Sequence, residues 1–191
     1  MAQVYNHAIM PLATEREKRV QVAWGVADFR HRFGRAPEGM WLAETAADGA
    51  TLDVLSDFGL RFTVLAPWQA RDPPVDVIEP HWVPLPSRRR LAAFFYHALL
   101  SGGVSFNRGL TVDTVGFGHH DLPRHLHAGK HADGTRQILT IATDGELYGH
   151  HSGALREDLR AAGSWRTGRT GADVLDGLRD RPAEETLPRA A

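Results

Sequence analysis

The feature that most limits how this chain can fold is a repeated alternation. Apolar residues spaced by three or four give way to short unbroken apolar runs, and the pattern recurs along most of the sequence. Val22, Val26 and Phe29, with Phe33 just past them, recur at helical spacing along Thr14 to Arg32, with Val20, Ala23 and Trp24 beside them, and Gly34 ends the segment. That spacing predicts a helix that is apolar over a broad face. Gly39-Met40-Trp41-Leu42 follows as a short run suited to a buried strand. Leu52, Leu55 and Phe58 then return to helical spacing before Gly59, a glycine placed to cap a helix C-terminus. Phe62-Thr63-Val64-Leu65 and Leu91 to Tyr96 read as further strands, and Ser101 to Phe106 opens another helical element. Pro67 to Pro86 is proline-rich and aperiodic, so it is expected to be an excursion loop. Gly116 to Asp133, rich in Gly, His and Asp, is expected to be a loop holding one helical turn. Gln137 to Ala142 is a last apolar strand. Strand, helix, strand in repeated order predicts an α/β fold with a parallel sheet and covering helices.

Composition narrows what such a fold could serve. A chain of 191 residues, 42% hydrophobic, can bury one sizeable core. Twenty-two basic residues against 23 acidic ones leave a net charge of −1, which gives no electrostatic footprint for nucleic acid or an anionic membrane. With no cysteine there is neither a disulfide framework nor a thiolate metal site, so any metal would need His and carboxylate ligands. The first residues lack the order of basic segment, apolar run and small-residue cleavage site that marks a secretory signal. No apolar run is long enough to span a bilayer. A cytoplasmic location is expected.

Two of the strands end in carboxylates. The first gives Trp41-Leu42-Ala43-Glu44, and the last gives Thr143-Asp144-Gly145-Glu146. In parallel α/β barrels, catalytic side chains project from the C-terminal ends of strands. Glycosidic bond cleavage needs such a pair, one carboxylate at the anomeric carbon and one acid to protonate the leaving oxygen. Trp41 would add an aromatic face for a sugar ring. The plainer reading is that Glu44 occupies the first turn of the next helix, where the helix dipole favours it, and that Asp144 begins a turn.

The wording of the segments carries more than their spacing. YNHAIMPL, GMWLAETA with TLDVLSDFGLRFTVLAP, FFYHALLSGGVSF and IATDGELYGHH resemble successive segments of glycoside hydrolase family 57, in the family's order. They are most similar to a bacterial branch of α-amylase or 4-α-glucanotransferase type. The resemblance implies part of a distorted (β/α)7 barrel and a retaining mechanism on α-glucans, with Glu44 as nucleophile and Asp144 as acid/base. It also implies substrate contacts for His7, Trp41, Glu146 and His150, an α-glucan or oligosaccharide as partner, and no cofactor or metal. If the mechanism is retaining, both carboxylates belong at the C-terminal rim of the sheet, about 5–5.5 Å apart.

The chain also departs from the family's pattern. Ala43 stands where the family usually has proline, and His97 where it usually has an acidic residue. A first barrel strand with a His-Gln-Pro-like signature would be expected before YNHAIMPL. After His151 the resemblance stops, and Ser152 to Ala191 is a run of Gly, Arg, Ala and Asp. The expected organisation is therefore a partial catalytic barrel over residues 1–151 and an atypical tail over 152–191. That tail is either out of frame in a GC-rich gene or a small surface subdomain of two amphipathic helices.

His119, His120, Asp121, His125, His127 and His131 form a dense group, and the four-residue spacing of His127 and His131 suits two imidazoles on one helical face. A metal-dependent hydrolase of polysaccharide-deacetylase type is the competing enzyme reading. A solvated loop of histidines is the plain alternative to that site. An inactive carbohydrate-binding remnant is the reading outside enzymes.

Overall fold

The computed structural model describes residues 1–70, 74–107, 116–132 and 134–147. The chain divides into two compact units, Met1–Phe95 and Tyr96–Ala191.

The first unit holds strands β1 (Ala2–Gln3), β2 (Met40–Trp41), β3 (Phe62–Leu65), β4 (His81–Pro84) and β5 (Arg90–Phe95), with helices α1 (Glu15–Phe33) and α2 (Gly49–Asp57). Strand β1 pairs parallel with β2, and β3 pairs parallel with β5 in the register Phe62 to Ala92 through Leu65 to Phe95. The result is an α/β arrangement whose strands run mostly parallel, as the alternation predicts.

Helix α1 starts at a full capping box. The Thr14 hydroxyl accepts from the Glu17 amide, while the Glu17 carboxylate accepts from the Thr14 amide at 2.8 Å. Those bonds from Thr14, backbone first, hold the Glu17 carboxyl below its ordinary value. At the other end Gly34 takes a left-handed conformation, φ 64°, and its N–H bonds the Arg30 carbonyl. The buried face is narrower than the periodicity suggests. Val22, Val26 and Phe29 are buried, but Trp24 and Phe33 are exposed. The reason is Gly25, which brings the helix so close to β1 that the contact runs through the glycine instead of a broad apolar stripe. Trp24 meets Tyr5 edge-on instead, with ring centroids 5.4 Å apart.

Helix α2 is capped by Asp48, whose carboxylate accepts from the Thr51 amide at 2.8 Å. It ends in a Schellman arrangement, with Gly59 N–H bonded to Ser56 and Leu60 N–H to Leu55. Leu55 and Leu60 then join Met10, Val22, Met40, Leu42 and Leu91 in the main core. Lys18, buried on α1, donates to the Ala13 carbonyl at 3.0 Å and sits 3.8 Å from Asp48. Burial opposes ionisation of Asp48, yet the bonds from Thr51 and the Lys18 charge outweigh it and hold the carboxyl below the ordinary range. Asp48→Ala removes the cap and leaves Lys18 without its counter-charge, and should cost about 2 kcal/mol at neutral pH. Because the folded pKa is depressed, this contribution is complete above about pH 5, begins to be lost below the ordinary aspartate value of about 3.9, and is gone once pH falls through the lower folded value. Urea denaturation of both proteins from pH 7 to pH 3 should therefore show the gap closing on the acid side.

The proline-rich stretch departs from expectation. Within it β4 pairs antiparallel with β5, from His81 opposite Ala93 to Pro84 opposite Arg90. Pro84 inside the strand, which has no N–H to give a ladder, and Pro80 just before it hide the strand in the sequence. The hairpin turn is closed by Leu85 N–H to Arg89 O at 2.9 Å, and the Arg90 guanidinium lies over the Trp82 ring at 4.4 Å.

Strands β2 and β3 meet only briefly. Arg61 N–H donates to Glu38 O at 2.7 Å, and a single parallel bridge joins Gly39 to Phe62. Beyond that bridge a side chain takes over, as the buried Thr63 hydroxyl donates to the Met40 carbonyl at 2.9 Å.

In the second unit, helix α3 (Ala98–Phe106) is capped by His97, whose Nδ1 accepts from the Leu100 amide at 3.3 Å. Burial, and then the neighbouring His125, lower the His97 pKa, which keeps Nδ1 free to accept. The histidine-rich segment is more helical than predicted. It forms a π-helical turn at Phe117–Asp121, a 3₁₀ turn at Leu122–His125 and helix α4 (Ala128–Ala132). Gln137 to Ala142, expected as a strand, forms no strand and joins no sheet among the described residues. Its bonds go elsewhere. Thr140 O accepts from His97 N–H, Ala142 N–H donates to the Ser101 hydroxyl, and the Gln137 side chain both accepts from and donates to the His127 main chain. Residues 152–191 lie outside the described residues. Among the described residues, no helix is long and apolar enough to cross a membrane.

Candidate active site

Glu44 lies three residues beyond Trp41, the last residue of β2, on the C-terminal side of a strand in a parallel pair. It lies in a 3₁₀ turn, Ala43–Thr45, closed by Thr45 N–H to Leu42 O at 2.9 Å and Ala46 N–H to Ala43 O at 3.0 Å. The turn is unusual for its residues. Glu44 has φ 55° and Thr45 has φ 53°, so two consecutive side-chain-bearing residues, one β-branched, occupy the left-handed region. Each such residue costs on the order of 1–3 kcal/mol and persists only where its surroundings over-determine it. Among the described residues, the non-glycine residues with positive φ are His7, Glu44, Thr45 and Arg88, so strain gathers around Glu44, with Arg88 at the β4–β5 turn as the exception.

His7 is the other strained member, at φ 50°, and its ring is brought to Glu44. Its Nε2 stands 3.2 Å from Glu44 Oε1. Both side chains are more than 70% exposed, so the contact adds little to stability and leaves both groups open to a ligand. With the proton on Nε2, His7 donates to one carboxylate oxygen and leaves the other free. Trp41 is half-buried in β2, and its carbonyl accepts from Val4 N–H.

One further side chain ties the Glu44 turn from the end of β3. There Pro67–Gln69 forms a 3₁₀ turn, and the half-buried Gln69 carboxamide accepts from Ala66 N–H and donates to Thr45 O, both at 2.7 Å. Trp68, on the same turn, is exposed. Neither residue stands out in the sequence, because the segment reads there as the start of a loop. Its one visible signal is position, immediately after an apolar strand.

In the second unit Asp144 and Glu146 are both exposed and flank Gly145 at the start of a 3₁₀ turn (Gly145–Leu147), with Leu147 N–H bonded to Asp144 O. Leu147 anchors the turn, packing with Val104, Phe117 and Ile141. His150 lies outside the described residues, as does the side chain of His131. Of the histidine group, His125 packs edge-on against His97, with ring centroids 4.3 Å apart. Among the described residues no group of three or more His, Asp or Glu side chains is placed to hold a metal ion.

Solved structures share this fold at low identity. A family 57 branching enzyme from Thermococcus kodakaraensis, solved with glucose, superposes with a TM-score of 0.71 at 18% identity, over 91% of this chain and 46% of its own. The α-amylase AmyC from Thermotoga maritima gives 0.65 at 18% identity, over 91% of this chain and 48% of its own. A protein assigned as a polysaccharide deacetylase, from Mycobacterium smegmatis, gives 0.62 at 15% identity, over 99% of this chain and 64% of its own. This chain thus spans less than half the length of either glucan enzyme. At these identities the likeness is one of fold, shared by the glucan enzymes and the deacetylase alike. No curated protein matches the chain. The family model for glycosyl hydrolase family 57 matches residues 1–159, most of the sequence. On that match, the chain belongs to glycosyl hydrolase family 57.

Proposed function

We propose that this chain carries the catalytic carboxylates of a retaining glycoside hydrolase or transglycosylase acting on α-glucans in the cytoplasm, within a distorted (β/α)7 barrel. The observation that supports it most is the Glu44 turn, a solvent-facing carboxylate on a strained turn at the C-terminal end of a parallel strand, with a histidine at 3.2 Å. Glu44 is the nucleophile. Its free oxygen attacks the anomeric carbon as the glycosidic C–O bond breaks, and Asp144 gives its proton to the departing oxygen. Asp144, now a carboxylate, takes a proton from water or from a sugar hydroxyl, whose oxygen displaces Glu44 from the same carbon. Water yields hydrolysis and a sugar hydroxyl yields transfer. His7 and Trp41 border the sugar beside Glu44, while Glu146 and His150 do so beside Asp144.

Two inversions at one carbon restore its configuration. Proton NMR of maltooligosaccharide cleavage should therefore show the α-anomer of the new reducing end first, with the β-anomer growing in only by mutarotation. A β-anomer released first would overturn the retaining assignment.

A further inference from the structure

We propose that Gln69 is a positioning residue for Glu44, a role that rests on Glu44 being the nucleophile. Glu44 and Thr45 occupy a region of backbone space that neither favours, so their turn would relax toward ordinary dihedrals unless something held it. Its own two backbone bonds close the turn but do not fix its direction. The external tie is the Gln69 carboxamide. One arm accepts from Ala66 N–H, which anchors the side chain to the end of β3, and the other donates to Thr45 O, which lies in the turn itself. Both bonds are 2.7 Å, Thr45 is buried, and Gln69 is half-buried, so the tie is short and partly shielded from competing water. An amide suits the task because it offers an acceptor and a donor on one rigid plane. Gln69 touches neither Glu44's carboxylate nor a reacting atom, and acts through the Thr45 carbonyl.

The test separates the two arms. Gln69→Glu keeps the acceptor for Ala66 but sets a carboxylate oxygen against the Thr45 carbonyl, while Gln69→Ala removes both. Trapping of Glu44 by a fluorinated α-glucosyl fluoride, followed by intact mass, should be at least about 10-fold slower at saturation in both variants. The concentration giving half the maximal rate should change little. Wild-type trapping rates in Gln69→Glu would overturn the proposal, whatever happens to the melting temperature.

A second readout needs no turnover. In protein with isotope-labelled histidine, Glu44→Gln should move the ring cross-peak of His7 at fixed pH. Gln69→Glu should move it the same way, and the double variant no further than Glu44→Gln alone. A His7 cross-peak left in place by Gln69→Glu would sink the positioning role. Failure of the wild type to trap at Glu44, with the cross-peak pattern as described, would instead overturn the nucleophile assignment and leave the tie standing.

Discussion

Glu44→Gln and Asp144→Asn should each lower turnover of α-glucans by about a thousandfold or more, because the two carboxylates work as one unit in a double displacement. The substitutions preserve size and remove one function each. An amide at position 44 has no anionic oxygen to attack the anomeric carbon, and an amide at position 144 has no acidic proton to give. The two variants should nevertheless fail differently. With an activated leaving group such as fluoride, the first step no longer needs an acid, so Asp144→Asn should regain glycosylation and accumulate the intermediate as a burst. Glu44→Gln should show no burst with any leaving group. Both side chains are exposed, so melting temperatures should stay close to that of the wild type. Rapid-mixing kinetics with both substrate types would decide the matter. Near-normal turnover in either variant defeats the pairing of these two residues.

The largest effect on stability is expected from a single methyl group. Gly25 sits in the interior of α1, where alanine would ordinarily stabilise a helix by about 1 kcal/mol. Here a Cβ would lie 2.1 Å from the Gln3 carbonyl oxygen and 3.1 Å from the end of Met40. The obstacle is main chain in a paired strand, which cannot swing aside as a flexible side chain would. Gly25→Ala should therefore push α1 off β1 and destabilise the fold by about 3 kcal/mol, or about 10 °C in melting temperature. Gly102 supplies the control. It also lies within a helix, α3, but nothing stands within 4 Å of its would-be Cβ, so Gly102→Ala should be neutral or stabilising. Thermal denaturation followed by circular dichroism should show a clear loss for the first variant and none for the second, for the same chemical change. A neutral or stabilising Gly25→Ala would show that helix propensity, and not the contact with β1, governs position 25.

What the sequence reveals of this fold is mainly what is local. Thr14 with Glu17, and Gly34 and Gly59, mark helix ends because a cap is made by neighbours in the chain. Phe62 to Leu65 is a strand in the structure over the same residues as in the apolar run. The errors arise where distant partners decide. Strand β4 forms because β5 offers it a ladder, despite its prolines, whereas Gln137 to Ala142 finds its partners in the His97 main chain and the Ser101 hydroxyl. Trp24 and Phe33 fit the helical period but not the burial, since the approach at Gly25 sets the packing. The candidate site divides in the same way. Glu44 is visible as a carboxylate at a strand end. Its strained backbone, its partner His7 37 residues away and the tie from Gln69 to Thr45, 24 residues away, are tertiary facts with no local signature.

The brief contact between β2 and β3 bears on how the molecule would yield under stress. Main-chain pairing there ends at the Gly39–Phe62 bridge, and above it the link passes to one hydroxyl and one carboxamide. A sheet joined in this way opens like a zipper that is fastened only at its lower end. Small excursions at the upper end break two side-chain bonds and no ladder, so they demand far less free energy than global unfolding. Glu44 stands on one lip of that opening and Gln69 on the other. The first element to lose its geometry on warming or in dilute denaturant is then the turn bearing Glu44, and function would fade while the strands and helices remain intact.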